Sequence, residues 1–262
     1  MQISNKTRHL SDVGCSHDCK YCYAKSLLNF RGLWNPQNPS IANIEKLKRK
    51  INKLPKGTIV RLGGMTDCFQ PLELYNRVTY KIIKYLNKKK IGYLIVTKSS
   101  IVSNDEYLKI YDKNLAHFQI TITTTDDNKS VQYEKASVPS ERIKAIEKLY
   151  QCGFDVQVRL SPFIYEYIDF DILNAIKCDK ILIEFLRVNH WIKQWFNIDY
   201  SKYTVKHAGY EHLPLSIKKE CLKKITGFNQ ISVCEDVDEH FEYWKNNVNY
   251  NKKDCCNLKL GG

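Results

Sequence analysis

Strand-like and helix-like segments alternate along this chain, and that order restricts its fold more than any single residue does. Runs rich in β-branched and aromatic residues recur at residues 7–14, Thr58–Gly64, Gly92–Thr97, His117–Thr125, Phe154–Leu160 and Lys180–Val188. Helical stretches separate them: Tyr23–Phe30 and Ile41–Lys53, then Tyr75–Asn87, Asp105–Lys113, Glu141–Cys152 and Asp169–Lys177. Ser40 and Ser140 stand where N-caps are expected, and Gly153 where a helix should stop. Strands joined by helical crossovers pair in parallel. Six such units predict an α/β fold, a partial (β/α)6 barrel, with its site at the C-terminal ends of the strands. The 262 residues, 43% of them hydrophobic, suit one large domain or a domain with an appendage. No apolar run of roughly 18 residues is present, so no membrane partner is expected.

Ten cysteines in this length are too sparse for a disulfide scaffold. With no basic-then-apolar leader at the N-terminus, a reducing, cytoplasmic location is expected. Three of the thiols fall together as Cys15-x3-Cys19-x2-Cys22. Thiolate is a soft ligand that selects zinc or iron–sulfur clusters. Structural zinc takes four closed ligands, and a cubane cluster normally takes four cysteines, one per iron. Three thiolates therefore leave one metal position open for a small molecule. His17 is available to close a zinc site instead, which makes a non-enzymatic zinc-binding nucleic-acid protein the competing reading.

The spacing, with Tyr21 in the aromatic place, resembles the motif of the radical S-adenosylmethionine (SAM) superfamily. The resemblance implies that Cys15, Cys19 and Cys22 hold a 4Fe–4S cluster whose fourth iron chelates SAM. The reduced cluster would then cleave SAM to a 5′-deoxyadenosyl radical that abstracts hydrogen from a substrate. Gly63-Gly64, ending the second strand, occupies the place of the family's Gly-Gly motif beside the methionine amino group. Thr66-Asp67-x-x-Gln70-Pro71-x-Glu73, Thr97-Lys98-Ser99 and Val138-Pro-Ser-x-Arg142 are similar to the spore photoproduct lyase-like branch. By that resemblance Tyr21, Gly63, Gly64, Thr66, Asp67, Lys98, Ser99 and Arg159 are expected around SAM, Lys98 pairing with its carboxylate. Thr121 and Thr123 share one face of the fourth strand with Gln119, where inward hydroxyls suit ribose or methionine oxygens. Cys68 is the candidate for a catalytic hydrogen donor, although the branch's own thiol falls at the position of Gly64 or Met65 here. An electron donor such as flavodoxin or ferredoxin is implied. The resemblance covers roughly residues 7–190, which divides the chain into a barrel core (1–190) and a C-terminal extension (191–262).

Forty-one basic against 28 acidic residues leave a net charge of +13, a field that attracts polyanions. Lys supplies 33 of those 41, however, a bias that an AT-rich genome also produces. DNA or RNA is the expected substrate, for repair or modification, with a peptide or protein as the alternative. In the extension, Trp191 and Trp195 lie at i, i+4 and are expected to pack in the core. Ser216–Thr226 and Asp236–Asn246 read as helices and Asn229–Val233 as a strand. Cys234, Cys255 and Cys256 are candidates for a second iron–sulfur cluster, with His240 or Cys221 as a further ligand.

Overall fold

The structure, a computed structural model, describes residues 7–10, 14–256 and 258. β1 (Thr7–Leu10) leads into the cysteine loop, and α1 (Tyr23–Phe30) leaves it. α2 (Ile44–Ile51) begins later than the expected Ile41, because the Asn43 side chain, not Ser40, caps it by accepting from a first-turn amide, Lys46 N, at 2.9 Å. β2 (Ile59–Leu62) follows. The helix expected over Tyr75–Asn87 is two, α3 (Glu73–Asn76) and α4 (Val78–Lys89), broken where Arg77 takes a left-handed φ of 55°. After β3 (Gly92–Thr97), only one turn, α5 (Asp105–Leu108), forms of the helix expected to Lys113. β4 (Ala116–Ile122) and the one-turn α6 (Asp127–Ser130) precede α7 (Pro139–Gln151). Ser140 does not cap α7; its hydroxyl and amide both donate to Asp127. β5 (Asp155–Phe163), α8 (Phe170–Asn174) and β6 (Lys180–Phe185) complete the alternation.

The extension supplies α9 (His190–Trp195), a hairpin of β7 (Val205–His207) and β8 (Tyr210–His212), then α10 (Leu215–Leu222), β9 (Gln230–Val233) and α11 (Asp238–Asn247). The main sheet runs β1-β2-β3-β4-β5-β6-β9, parallel at every pairing. β1 to β6 make the partial (β/α)6 barrel, and β9 adds a seventh strand from the extension. On the outer face Val60, Ile95, Phe118 and Val158 pack against Ile83 and Leu86 of α4 and Ile146 and Leu149 of α7. With the two-residue period of a strand, the opposite face receives Arg61, Gln119, Gln157, Arg159 and Glu184 beside a small apolar cluster of Ile59, Leu94 and Val96, so much of the barrel interior is polar and charged. Among the described residues no helix is long and apolar enough to cross a membrane.

Candidate functional site

The cysteine loop sits at the C-terminal edge of the sheet, where hydrogen bonds tie it to two neighbouring segments. Gly14 enters it at φ 86°, and a Cβ there would lie 2.9 Å from the Asn35 carbonyl oxygen. Ser16 N donates to the Gln70 side chain at 2.6 Å, Lys20 N to the Tyr133 carbonyl at 2.9 Å, and Lys135 N to the His17 carbonyl at 2.7 Å. Cys15 and Cys19 are buried and Cys22 half-buried. Burial pushes the Cys15 thiol up to about 12, with the Asp67 carboxylate adding to the rise. Cys19 and Cys22 are raised by burial as well, while Lys98 pulls both down.

The motif after β2 acts as a set of ties. Asp67 accepts from Thr97 Oγ1 at 2.7 Å, Lys98 N at 2.7 Å and Phe69 N at 2.8 Å, which locks the ends of β2 and β3 together. His17 Nδ1 lies 3.4 Å from the same carboxylate, so its ring is turned to Asp67. Glu73 accepts from the amides of Thr79 and Tyr80, both at 2.9 Å, and so caps α4. Gly63 takes φ 84°, and a Cβ on it would fall 2.1 Å from the Val96 carbonyl oxygen. Gly64 O accepts from Tyr23 Oη at 2.6 Å. Thr66 and Ser99 are buried, the Ser99 hydroxyl accepting from Ile101 N at 3.4 Å.

A buried ion pair supports the loop from below. Arg142 and Glu134, both with fully buried side chains, pair directly. Arg142 also donates to the Thr121 carbonyl at 3.0 Å and the Ser137 carbonyl at 2.5 Å. Glu134 accepts from Tyr21 Oη, from Thr123 Oγ1 at 3.0 Å and from Cys19 Sγ at 3.8 Å. Burial alone would raise the Glu134 carboxyl, but Arg142, Lys98 and Tyr21 together hold it below the usual carboxylate range. Tyr21 and Thr123 thus face Glu134, and the Lys98 ammonium lies 5.6 Å over the Tyr21 ring. Sequence reasoning missed Glu134, which lies in a loop without periodicity; Arg142 was visible only as part of a motif.

Cys68 packs against the core and lines a groove together with Gly63, Thr66, Asp67 and Gln70 at the end of β2. Inside the barrel, Arg159 pairs with Glu184 and donates to Gln119 Oε1 at 2.7 Å, while Gln119 donates to Gln157 at 2.9 Å. Burial would raise Glu184, yet Arg159 and Arg187 hold it down to about 2. Arg61 Nε, Gln157 Nε2 and Ser16 Oγ are buried without a hydrogen-bond partner among the described residues. The Cys255 and Cys256 thiols lie within 4.8 Å of each other and of the Asp254 carboxylate, and Cys234 and Arg159 are near enough to act on them electrostatically. The Cys256 thiol is lowered to about 7 by its hydrogen bond with Cys255, burial opposing and Arg159 and Arg61 assisting. His240 is engaged with Lys218 and Glu235, and Cys221 is buried on α10, so neither joins these thiols. Trp191, expected in the core, is 44% exposed and stacks on the half-buried Trp195, because α9 packs by Ile192.

The residues present fit a cubane cluster and a small polar ligand. A single zinc ion with bonds of about 2.3 Å would draw its sulfurs to within roughly 4 Å of one another. Among the described residues the donor sets gathered within 4.8 Å are Asp254–Cys255–Cys256 and His212–Glu235–Asp236, and the loop thiols are spread wider. That spread suits one thiolate per iron. Ser16 Oγ, Arg61 Nε and Gln157 Nε2 supply unused polar groups in the loop and in the barrel interior.

Comparison with known proteins agrees. Residues 12–177 match the profile of the radical SAM superfamily. An uncharacterized protein of Methanocaldococcus jannaschii is 30% identical over 161 residues, and the chain spans 60% of that relative's length. Spore photoproduct lyase complexed with dinucleoside spore photoproduct superposes with a TM-score of 0.62 at 15% identity, over 90% of this chain and 73% of that one. SuiB of Streptococcus suis bound to S-adenosylmethionine gives 0.57 at 12% identity, over 95% and 54%. At these identities the likeness is one of fold.

Proposed function

The chain belongs to the radical SAM superfamily and is a radical SAM enzyme, and on that premise we propose that it modifies or repairs a nucleic acid. The observation that carries the substrate class is the indole pair on α9. Trp191 and Trp195 stack at 5.9 Å with 26° between their planes, and the Lys25 ammonium lies 4.9 Å from the Trp195 ring. An exposed indole backed by a second, half-buried one forms a platform on which a base can stack. α9 packs on α1, the helix that leaves the cysteine loop, so the platform adjoins the site. The net charge of +13 and the fold shared with a lyase complexed with a dinucleoside support the same reading.

Cys15, Cys19 and Cys22 would hold a 4Fe–4S cluster, and its chemistry would be one-electron reductive cleavage of SAM to methionine and a 5′-deoxyadenosyl radical, the electron coming from a flavodoxin- or ferredoxin-type donor. The protein's own residues bind and orient. Lys98 offers its ammonium to the methionine carboxylate, and Gly63 and Gly64 admit the ligand close to the end of β2. Asp67 fixes Lys98 through its backbone amide. Thr66, Ser99 and Thr121 line the strand ends around that ligand. Tyr21 and Thr123 act through Glu134, holding the loop in place. Arg159 and Glu184 fix each other inside the barrel. Cys68, which lines a groove with Gly63, Thr66 and Asp67, is the candidate for returning a hydrogen atom to the substrate radical.

Anaerobic incubation of the iron-reconstituted, dithionite-reduced protein with SAM tests the chemistry. 5′-Deoxyadenosine from the wild type and none from Cys19→Ala is expected. Equal product from both would overturn the cluster assignment. Single-stranded DNA and RNA oligonucleotides then test the substrate class. Binding should weaken with salt, and Trp191→Ala should cost about 1–3 kcal/mol per stacked base. No binding at low salt, or unchanged binding by Trp191→Ala, would remove the nucleic-acid reading.

A further inference from the structure

Three thiols that the proposed mechanism leaves unused converge from two directions inside the barrel. Cys234 follows β9 and is fixed there by its amide, which donates to the Ile183 carbonyl at 2.8 Å. Cys255 and Cys256 arrive on the C-terminal tail. There Asp254 shapes a turn by accepting from Cys256 N at 3.0 Å and Leu258 N at 3.2 Å. Leu258 seats the tail on Ile59, Leu94 and Val96.

We propose that Cys255, Cys256 and Asp254, with Cys234 completing the set from the strand side, form a second metal site for one soft divalent cation, zinc foremost. The donor atoms of Asp254, Cys255 and Cys256 lie within 4.8 Å of one another; the Cys234 thiol stands outside that group and couples electrostatically to Cys255, so it would close on the ion only as the ion binds. The compactness of the three matches a single tetrahedral ion. It does not match a cubane, which sets each thiolate on a different iron and which adjacent cysteines span poorly. Thiolates with one carboxylate select zinc from the soft end of the divalent series. Three thiolates and a carboxylate around a divalent ion leave net negative charge, and Arg61 and Arg159 lie beside the thiols to balance it. The ion clips the tail onto the strand end of β9. This site stands on its own residues and does not depend on the nucleic-acid reading.

The full-length protein with Cys15, Cys19 and Cys22 all replaced by Ala isolates the site, since its metal content cannot come from the loop. Titrated anaerobically, it should bind one equivalent of Zn²⁺, and Co²⁺ should give a thiolate charge-transfer band in the near ultraviolet. Adding Cys255→Ser and Cys256→Ser should abolish the band. Adding Cys234→Ser alone, at the strand end, should weaken Co²⁺ binding by more than the roughly 10–100-fold that loss of an outer-shell partner costs. Zn²⁺ should also slow proteolysis of the tail, a readout separate from catalysis. Absence of Zn²⁺ and Co²⁺ binding, several irons with sulfide in this variant, or a band that survives the tail substitutions would each overturn the proposal.

Discussion

Arg142→Met removes the guanidinium from beneath the cysteine loop while keeping the side chain long and apolar. Glu134 would then stay ionised and fully buried, with only Tyr21, Thr123 and the Cys19 thiol as donors. Breaking a buried pair from one side costs about 3–5 kcal/mol, because the surviving charge is uncompensated. The Thr121 and Ser137 carbonyls lose their donors too, and this adds to the loss without summing simply. In a chain of this size, ~2–4 °C per kcal/mol translates that to a Tm drop of roughly 6–20 °C. Urea unfolding under anaerobic, reducing conditions measures it. Adding Glu134→Gln should recover most of the loss, since the stranded charge is then gone. The iron content of the reconstituted single variant should fall with loop order, as His17 and Lys20 are tied to the segment that carries Glu134. A single variant within about 0.5 kcal/mol of wild type would refute the reasoning, as would a double variant no more stable than the single.

Gly63→Ala forces a left-handed φ on a residue with a side chain, which costs at least about 1–2 kcal/mol, and drives its Cβ into the Val96 carbonyl. A wild-type urea midpoint would contradict the close approach of β2 and β3. Glu73→Gln weakens the cap on α4 and should cost about 1–3 kcal/mol; unchanged stability would mean that Thr79 and Tyr80 find other acceptors. For Glu184, whose carboxyl is lowered from 4.5 to about 2, the unfolded chain takes up the proton first as pH falls. Its stabilisation is therefore complete above pH about 4.5 and lost as pH falls towards 2, a total near ~3 kcal/mol. The acid limb of a stability–pH curve should be shallower in Glu184→Gln, and an unchanged limb would assign that slope to other groups.

The barrel was readable because its signals are local and periodic. β-branched runs and two-residue alternation mark strands whatever surrounds them, and the crossover helices fix parallel order. The helix starts were less readable, since capping is a competition between neighbours: Asn43 out-competes Ser40, and Ser140 is diverted to Asp127. Glu134 was invisible for a different reason. A single carboxylate in an aperiodic loop carries no pattern, and its role exists only once α7 brings Arg142 against β4. The same distinction separates the two thiol sets. Cys15, Cys19 and Cys22 are neighbours in sequence, so their spacing already limits what they can hold. Cys234 and the Cys255-Cys256 pair are joined only when the tail folds back over β9, and sequence could propose their company but not their geometry. That geometry then changes the chemistry expected of them. Thiols spread along a loop suit a cluster with one iron left open, while a vicinal pair with a carboxylate within 4.8 Å suits a single ion and, closed by the proposed strand-end thiol, would leave no position for substrate. Identical ligand atoms thus point to a reactive centre at one end of the chain and a structural clip at the other, and the spacing of the sulfurs decides which.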